Sequence, residues 1–189
     1  LKDVSPEEID MIFVRENTEG EYAGSGSWLF KGKPNEVVIQ DGVFSRKGCE
    51  RVIRYAYELA KSQNKSLTSV SKANALNYSM VFWDQIFEEV GKDYPEVKTY
   101  SYLVDAASMF MVKDPKRFQI VVTSNLFGDI LTDLGAAMAT GIAQCVGGIV
   151  PLIYFARPNT SLRMDRQARV EGIYTFFYQE REQGFFFSG

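Results

Sequence analysis

Apolar positions change their spacing several times along the chain, and each change marks an expected element. IDMIFVRE (9–16) is a short apolar run ending in charge, the pattern of a buried strand. The glycine-rich NTEGEYAGSGS that follows favours turns and close backbone approach. LFKGKPNEVVIQ reads as a hairpin around Lys31 to Asn35, with EVVIQ as the returning strand. From Ser45 the spacing becomes helical, with Val52, Ile53, Ala56, Leu59 and Ala60 on one stripe.

The next elements alternate. LTSVS (67–71) is a short strand, and Ala75 to Val90 repeats Leu76, Met80, Trp83, Phe87 and Val90 at helical spacing. KTYSYLV (98–104) is strand-like and DAASMFMV is helical; FQIVVTS (118–124) is a buried strand, and Leu126 to Ala139 form a helix. Strands alternating with helices predict a layered α/β architecture over residues 1–139. Residues 140–189 are apolar without a clean period and end in three phenylalanines, so they are expected to form an atypical C-terminal segment.

Composition narrows the chemistry. The net charge of −3 leaves no basic footprint for nucleic acid, and no apolar run approaches a membrane span. The polar, acidic N-terminus lacks the shape of a signal peptide, and two distant cysteines suggest no disulfide framework, which together predict a cytoplasmic, reduced protein. Histidine is absent, so any acid–base work falls to carboxylates, lysine, tyrosine, serine or cysteine.

Four strand ends carry groups of interest, and ligands of α/β folds collect at such places. Asp129 and Asp133 lie one turn apart in TSNLFGDILTDLG, where like charges repel unless something offsets them. With Asn125 as helix cap, Asp129 either complements the helix dipole while Asp133 meets water, or both bind Mg²⁺ or Mn²⁺. Asp105, after the strand YSYLV, is a helix N-cap or a third carboxylate for that cation. Lys72 in VSKANAL is a solvated loop residue or a general base. In VRENTEGEYAG, Arg15 either makes an ordinary ion pair or clamps a substrate carboxylate, and Tyr22 could donate a proton.

In their order, VRENTEGEYAG, SKANAL, YLVDAASM and TSNLFGDILTDLG resemble the metal-dependent β-decarboxylating dehydrogenases. That family includes isopropylmalate, isocitrate, tartrate and D-malate dehydrogenases. The wording of RENTEGEY, EVVIQ with FSRKG, RYAYELA and SNLFGDILTDLG is most similar to the tartrate/D-malate branch. The resemblance implies the isocitrate/isopropylmalate dehydrogenase-like α/β fold with a protruding hairpin arm. It also implies NAD-dependent oxidation of a small 2-hydroxy dicarboxylic acid, with or without decarboxylation. Arg15 would bind the substrate carboxylate, Tyr22 would protonate the enol carbon, and Lys72 would be the base. Asn74 would touch the nicotinamide of NAD, and Asp105, Asp129 and Asp133 would surround Mg²⁺ or Mn²⁺. The site would be shared across a homodimer, with Lys72 and Asp105 reaching in from the other subunit and the hairpin pairing with its counterpart.

The resemblance runs from residue 1 to about 139 of a family pattern roughly twice this length. It implies a chain incomplete at its N-terminal side, lacking the family's histidine-containing adenosine loop. The expectation is therefore a chain of weak or no dehydrogenase activity by itself, or a non-catalytic dimerisation or metal-binding remnant.

Overall fold

The protein was analysed as a computed structural model, which describes residues 9–138. The expectation for residues 140–189 lies outside the described residues. Four strands form one parallel sheet: β1 (Ile12–Arg15), β4 (Leu67–Ser71), β5 (Thr99–Leu103) and β6 (Ile120–Thr123), in the order β1-β6-β4-β5. The central strands are short, β-branched and buried along their whole length, as a sheet covered on both faces requires. Between β1 and β4 the chain makes an antiparallel hairpin, β2 (Gly20–Leu29) and β3 (Val37–Val43), followed by helix α1 (Arg46–Gln63).

Helix α2 (Ser79–Gly91) connects β4 to β5, α3 (Val104–Lys113) with a 3₁₀ turn (Pro115–Arg117) connects β5 to β6, and α4 covers residues 125–138. Two apolar clusters show how the layers meet. On one face Ile53, Ala56, Tyr57 and Ala60 of α1 and Met80, Trp83, Ile86, Phe87 and Val90 of α2 pack on Leu67, Ile120 and Val122. On the other, Ala107 and Met111 of α3 and Leu131 and Met138 pack on Val70 and Val121. The alternation of strand side chains between faces places Ile120 and Val122 of β6 in one cluster and Val121 in the other, and divides Leu67 and Val70 of β4 in the same way. This is the predicted layered α/β architecture. Among the described residues no helix is long and apolar enough to cross a membrane.

Three local expectations change. The glycine-rich stretch after β1 is mostly strand: Gly24 and Gly26 lie inside β2, which shifts register between Gly20 and Ser25. Helix α2 begins at Ser79, four residues after the expected Ala75. The amides of Ala75 and Leu76 both bond the Lys72 carbonyl, which closes a turn, and Leu76 is exposed instead of joining the buried stripe. Leu103, not Asp105, occupies the N-cap position of α3, and Asp105 falls in the first turn. The hairpin itself matches expectation, and its β3 strand is exposed at every residue.

Candidate active site

The C-terminal ends of the four parallel strands gather most of the ionisable groups singled out above. Arg15 is the last residue of β1, and its stem crosses Gly128 of α4: a β-carbon there would stand 2.6 Å from Arg15 Cγ. Only glycine leaves room for that crossing. Beyond it the guanidinium meets Asn125, whose Oδ1 accepts from Arg15 Nε at 3.0 Å and Nη2 at 2.6 Å. Buried Asn125 uses its own Nδ2 to donate to the Glu19 carbonyl at 3.0 Å. Its side chain therefore ties three segments together and does not cap α4 as expected.

Arg15 Nη1 also pairs with Asp129 Oδ1 at 2.5 Å, and the Tyr22 hydroxyl donates to Asp129 Oδ2 at 3.3 Å. Partial desolvation and the Asp129 carboxylate raise the Tyr22 phenol above its ordinary value, so it keeps its proton at neutral pH. Tyr22 enters from β2, which makes the base of the hairpin part of the site.

Lys72 follows β4, and its ammonium pairs with Asp105 of α3. That hydrogen bond holds the Asp105 carboxyl below its ordinary value. Asn74 lies exposed in the turn after Lys72. Asp133 is exposed on α4, one turn beyond Asp129. The structure thus forms two groups within one chain, Arg15–Tyr22–Asn125–Asp129 and Lys72–Asp105. Among the described residues no three Asp, Glu or Cys side chains of a single chain converge on a metal position. The donors of Asp105, Asp129 and Asp133 are all carboxylate oxygens and all reach solvent, a set that suits a hard divalent cation such as Mg²⁺ or Mn²⁺.

Two carboxylates that the sequence reading left unassigned shape this corner. Buried Glu16 accepts from the amides of Thr18 and Glu19, from the Thr18 hydroxyl at 2.5 Å and from Arg51 at 3.3 Å. Glu19 accepts from Ser45 N at 2.8 Å and Ser45 Oγ at 2.6 Å, while Ser45 caps α1 through Gly48 N. The run Glu16–Glu19 therefore folds the loop that leads from Arg15 at the end of β1 to the strand of Tyr22, and locks it to α1. Its signal in the sequence was a carboxylate two residues before a threonine, an arrangement that bonds its own turn.

Gly20 sits between these locks at φ +83°, with a β-carbon position 3.3 Å from Asn125 Cβ. Gly20→Ala is expected to lose about 1–3 kcal/mol of stability in urea unfolding, from left-handed strain plus the crowding of Asn125. Gly24→Ala is the matched control, because Gly24 has φ +73° but nothing within 4 Å of its β-carbon position. It should lose about 1–2 kcal/mol, the backbone part alone.

The sequence model described as isocitrate/isopropylmalate dehydrogenase matches residues 1–150. The match continues past residue 139, where the motifs alone had ended. Over 149 residues the chain is 52% identical to 3-isopropylmalate dehydrogenase of Thermobifida fusca, covering 78% of this chain and 42% of that protein. It is 47% identical to D-malate dehydrogenase (decarboxylating) of Escherichia coli, covering 77% of this chain and 39% of that one. It is 42% identical to a probable tartrate dehydrogenase/decarboxylase of Bacillus subtilis, covering 77% and 40%. Identity therefore does not set the tartrate/D-malate branch above 3-isopropylmalate dehydrogenase. The chain spans about 42% of the length of the first of these relatives. The crystal structure of isocitrate dehydrogenase from Methylococcus capsulatus is similar over 68% of this chain and 38% of that one, with a TM-score of 0.64 and 42% identity. By the extent of the family match, and with the four motifs set at the ends of one parallel sheet, the chain belongs to the isocitrate/isopropylmalate dehydrogenase family.

Proposed function

We propose that the chain carries the substrate, acid, base and metal-holding residues of a dehydrogenase acting on a small 2-hydroxy dicarboxylic acid, with NAD as oxidant. The class covers 3-isopropylmalate, D-malate and tartrate; the motif wording favours the last two, whereas identity is higher to a 3-isopropylmalate dehydrogenase, at 52% against 47% and 42%. The observation that carries the reading is the Arg15–Asn125–Asp129–Tyr22 cluster facing strand ends that also deliver Lys72 and Asp105.

Arg15, whose Nε/Nη2 edge is held by Asn125, would offer its Nη1/Nη2 end to a substrate carboxylate in place of Asp129. Lys72, once neutral and released from Asp105, would take the substrate hydroxyl proton; NAD would supply the hydride acceptor, with Asn74 at its nicotinamide end. After loss of carbon dioxide, Tyr22 gives its proton to the enol carbon, which its raised pKa equips it to hold until then. Asp129 and Asp133 of one copy with Asp105 of a second would hold Mg²⁺ or Mn²⁺. Bound there, the cation supplies Lewis acidity at the hydroxyl and carbonyl oxygens. The assembly is a homodimer joined by the hairpin, whose exposed Trp28, Leu29, Phe30, Val37, Val38 and Ile39 favour association.

Calorimetric titration of Mn²⁺ into the 189-residue chain tests the site. Asp129→Asn should weaken binding at least tenfold, about 1.4 kcal/mol. Equal affinity in the two proteins sinks the metal assignment. A second reading, a dimerisation or metal-binding module without turnover, rests on the same exposed hairpin. A chain that self-associates and binds Mn²⁺ but makes no NADH from D-malate, tartrate or 3-isopropylmalate fits that reading; robust NADH formation excludes it.

A further inference from the structure

The opposite end of the sheet holds a second concave surface, remote from the candidate active site. It is an open basin of about 610 Å³ where β4, β5 and β6 begin. A basin of this size accommodates a small ligand. Its floor is fixed, because Gln119 Oε1 accepts from both the amide and the hydroxyl of Ser66 at 2.8 Å. The five residues of β4 separate Lys65 here from Lys72 at the other end, on the order of 16 Å or more of extended chain.

The charge of the basin runs against that of the chain. The protein carries a net −3, yet the basin is lined by Lys65, Lys98, Lys116 and Arg117 with Glu96 as its one carboxylate. Glu96 is already paired, with Lys61 at 2.5 Å. Lys65 and Arg117 have carboxylate partners, Asp10 at 2.6 Å and Asp114 at 2.9 Å, and neither partner lines the basin. The Lys65 side chain is only 20% exposed, so its ammonium is held in place at the rim instead of sweeping through solvent. Arg117 is held as firmly, over the Phe110 ring at 4.1 Å and against the Tyr102 hydroxyl at 3.4 Å. Cations concentrated on a low-dielectric wall focus an attractive field on anions.

The aromatic component adds a direction. Tyr100 is partly exposed, and Lys98 stands over its ring at 5.3 Å. Once Lys98 swings from the ring to a charged oxygen, the Tyr100 face it covered is left for a planar ring. Compact ammonium groups hold phosphate oxygens as point charges, and Arg117, whose Nε and Nη2 are on Asp114, contributes its Nη1 side. We propose that this basin is a binding site for a phosphate-bearing small molecule, separate from the dehydrogenase site. The phosphate groups sit among Lys65, Lys98, Lys116 and Arg117, and a base, where the ligand is a nucleotide, lies on Tyr100.

Equilibrium dialysis of the full 189-residue chain against pyrophosphate and against ADP, both in EDTA, tests this with no metal to draw ligand to the acidic end. Saturable binding of either ligand is expected, weakening as salt is raised. Lys98→Glu should weaken it at least tenfold, Lys116→Gln less, and Asp129→Asn not at all. ADP binding at least tenfold tighter than pyrophosphate, with the difference removed by Tyr100→Ala, assigns a nucleotide. Equal affinities assign free polyphosphate, with the cations alone doing the binding. The site is overturned by no saturable binding at millimolar concentration, or by Lys98→Glu binding as the unmodified chain does while its circular dichroism shows it folded. Loss of binding in Asp129→Asn would also overturn it.

Discussion

Trp83→Ala is expected to cost about 3–5 kcal/mol, the largest effect of any single truncation in the described residues. Trp83 is fully buried on α2 and is the largest side chain in the cluster joining α1 and α2 to the sheet. Its loss opens a cavity between two rigid layers that close over it only in part. A second cost adds to the first: the indole Nε1 donates to Ser69 Oγ at 3.0 Å inside β4, and alanine leaves that buried hydroxyl without its donor. Domains of this size are stable by about 5–15 kcal/mol, so the variant stands near the threshold of unfolding. Urea unfolding followed by far-UV circular dichroism measures the effect. Trp83→Phe, which keeps much of the volume and loses the hydrogen bond, should fall between the two proteins. A loss below about 1 kcal/mol for Trp83→Ala would show that α2 is not anchored through this residue.

The consequence reaches the site, because α2 and β4 flank Lys72. Trp83 bonds Ser69, and Ser71 donates to Asp84 of α2 at 3.0 Å, so two polar ties and one large ring hold the helix on the strand that leads into Lys72. Burial raises the Asp84 carboxyl above its ordinary value, against the Ser71 hydrogen bond that lowers it, which marks this junction as poorly solvated.

The layers were legible because each strand here is short and apolar and each helix long and striped. LTSVS and QIVVT have no room to be helices, and Val52 to Ala60 repeats at helical spacing. The start of α2 was not legible: Leu76 and Met80 keep helical spacing across a turn that bonds back to Lys72, and periodicity cannot register a backbone turn. At the site, Arg15, Tyr22 and Asp129 were named and do meet. Lys72 and Asp105 were named and meet each other, apart from that cluster. Asn125 was read as a cap, because Asn before an apolar helix is favourable there. What overrode that preference was Arg15, 110 positions away in sequence and brought close only by the parallel pairing of β1 with β6. Glu19 escapes for the same reason, since its partner Ser45 caps α1, 26 positions away. Glu16 bonds mainly its own turn, through Thr18 and the Glu19 amide, and the local spacing that permits this does not show that the carboxylate is buried.

Glu16 carries the second large effect and a pH signature of its own. Burial alone would raise its carboxyl, but the Thr18 hydroxyl, the amides of Glu19 and Thr18, and Arg51 together lower it below the ordinary value of 4.5. A group depressed in the folded state binds more protons when unfolded, so stability rises with pH through its range. The contribution is complete above about pH 4.5 and fades as pH falls toward the folded-state value. Glu16→Ala strips the acceptor from two backbone amides and a hydroxyl in a buried turn, with an expected loss of about 2–4 kcal/mol at pH 7. Arg51, more than half exposed, is rehydrated and adds little to that loss. Glu16→Gln keeps one acceptor oxygen and the side-chain length, so it should lose less at pH 7. It should also lose the Glu16 part of the acid dependence: its stability relative to the unmodified protein should improve from pH 6 to pH 3. Urea midpoints for the two proteins at those pH values decide the matter, and parallel curves would mean that Glu16 is not held ionised by this turn. Arg15 immediately precedes this turn, as the last residue of β1. If Arg15 binds a substrate carboxylate as proposed, the variant should also weaken that binding, because the turn positions the end of β1 that carries Arg15.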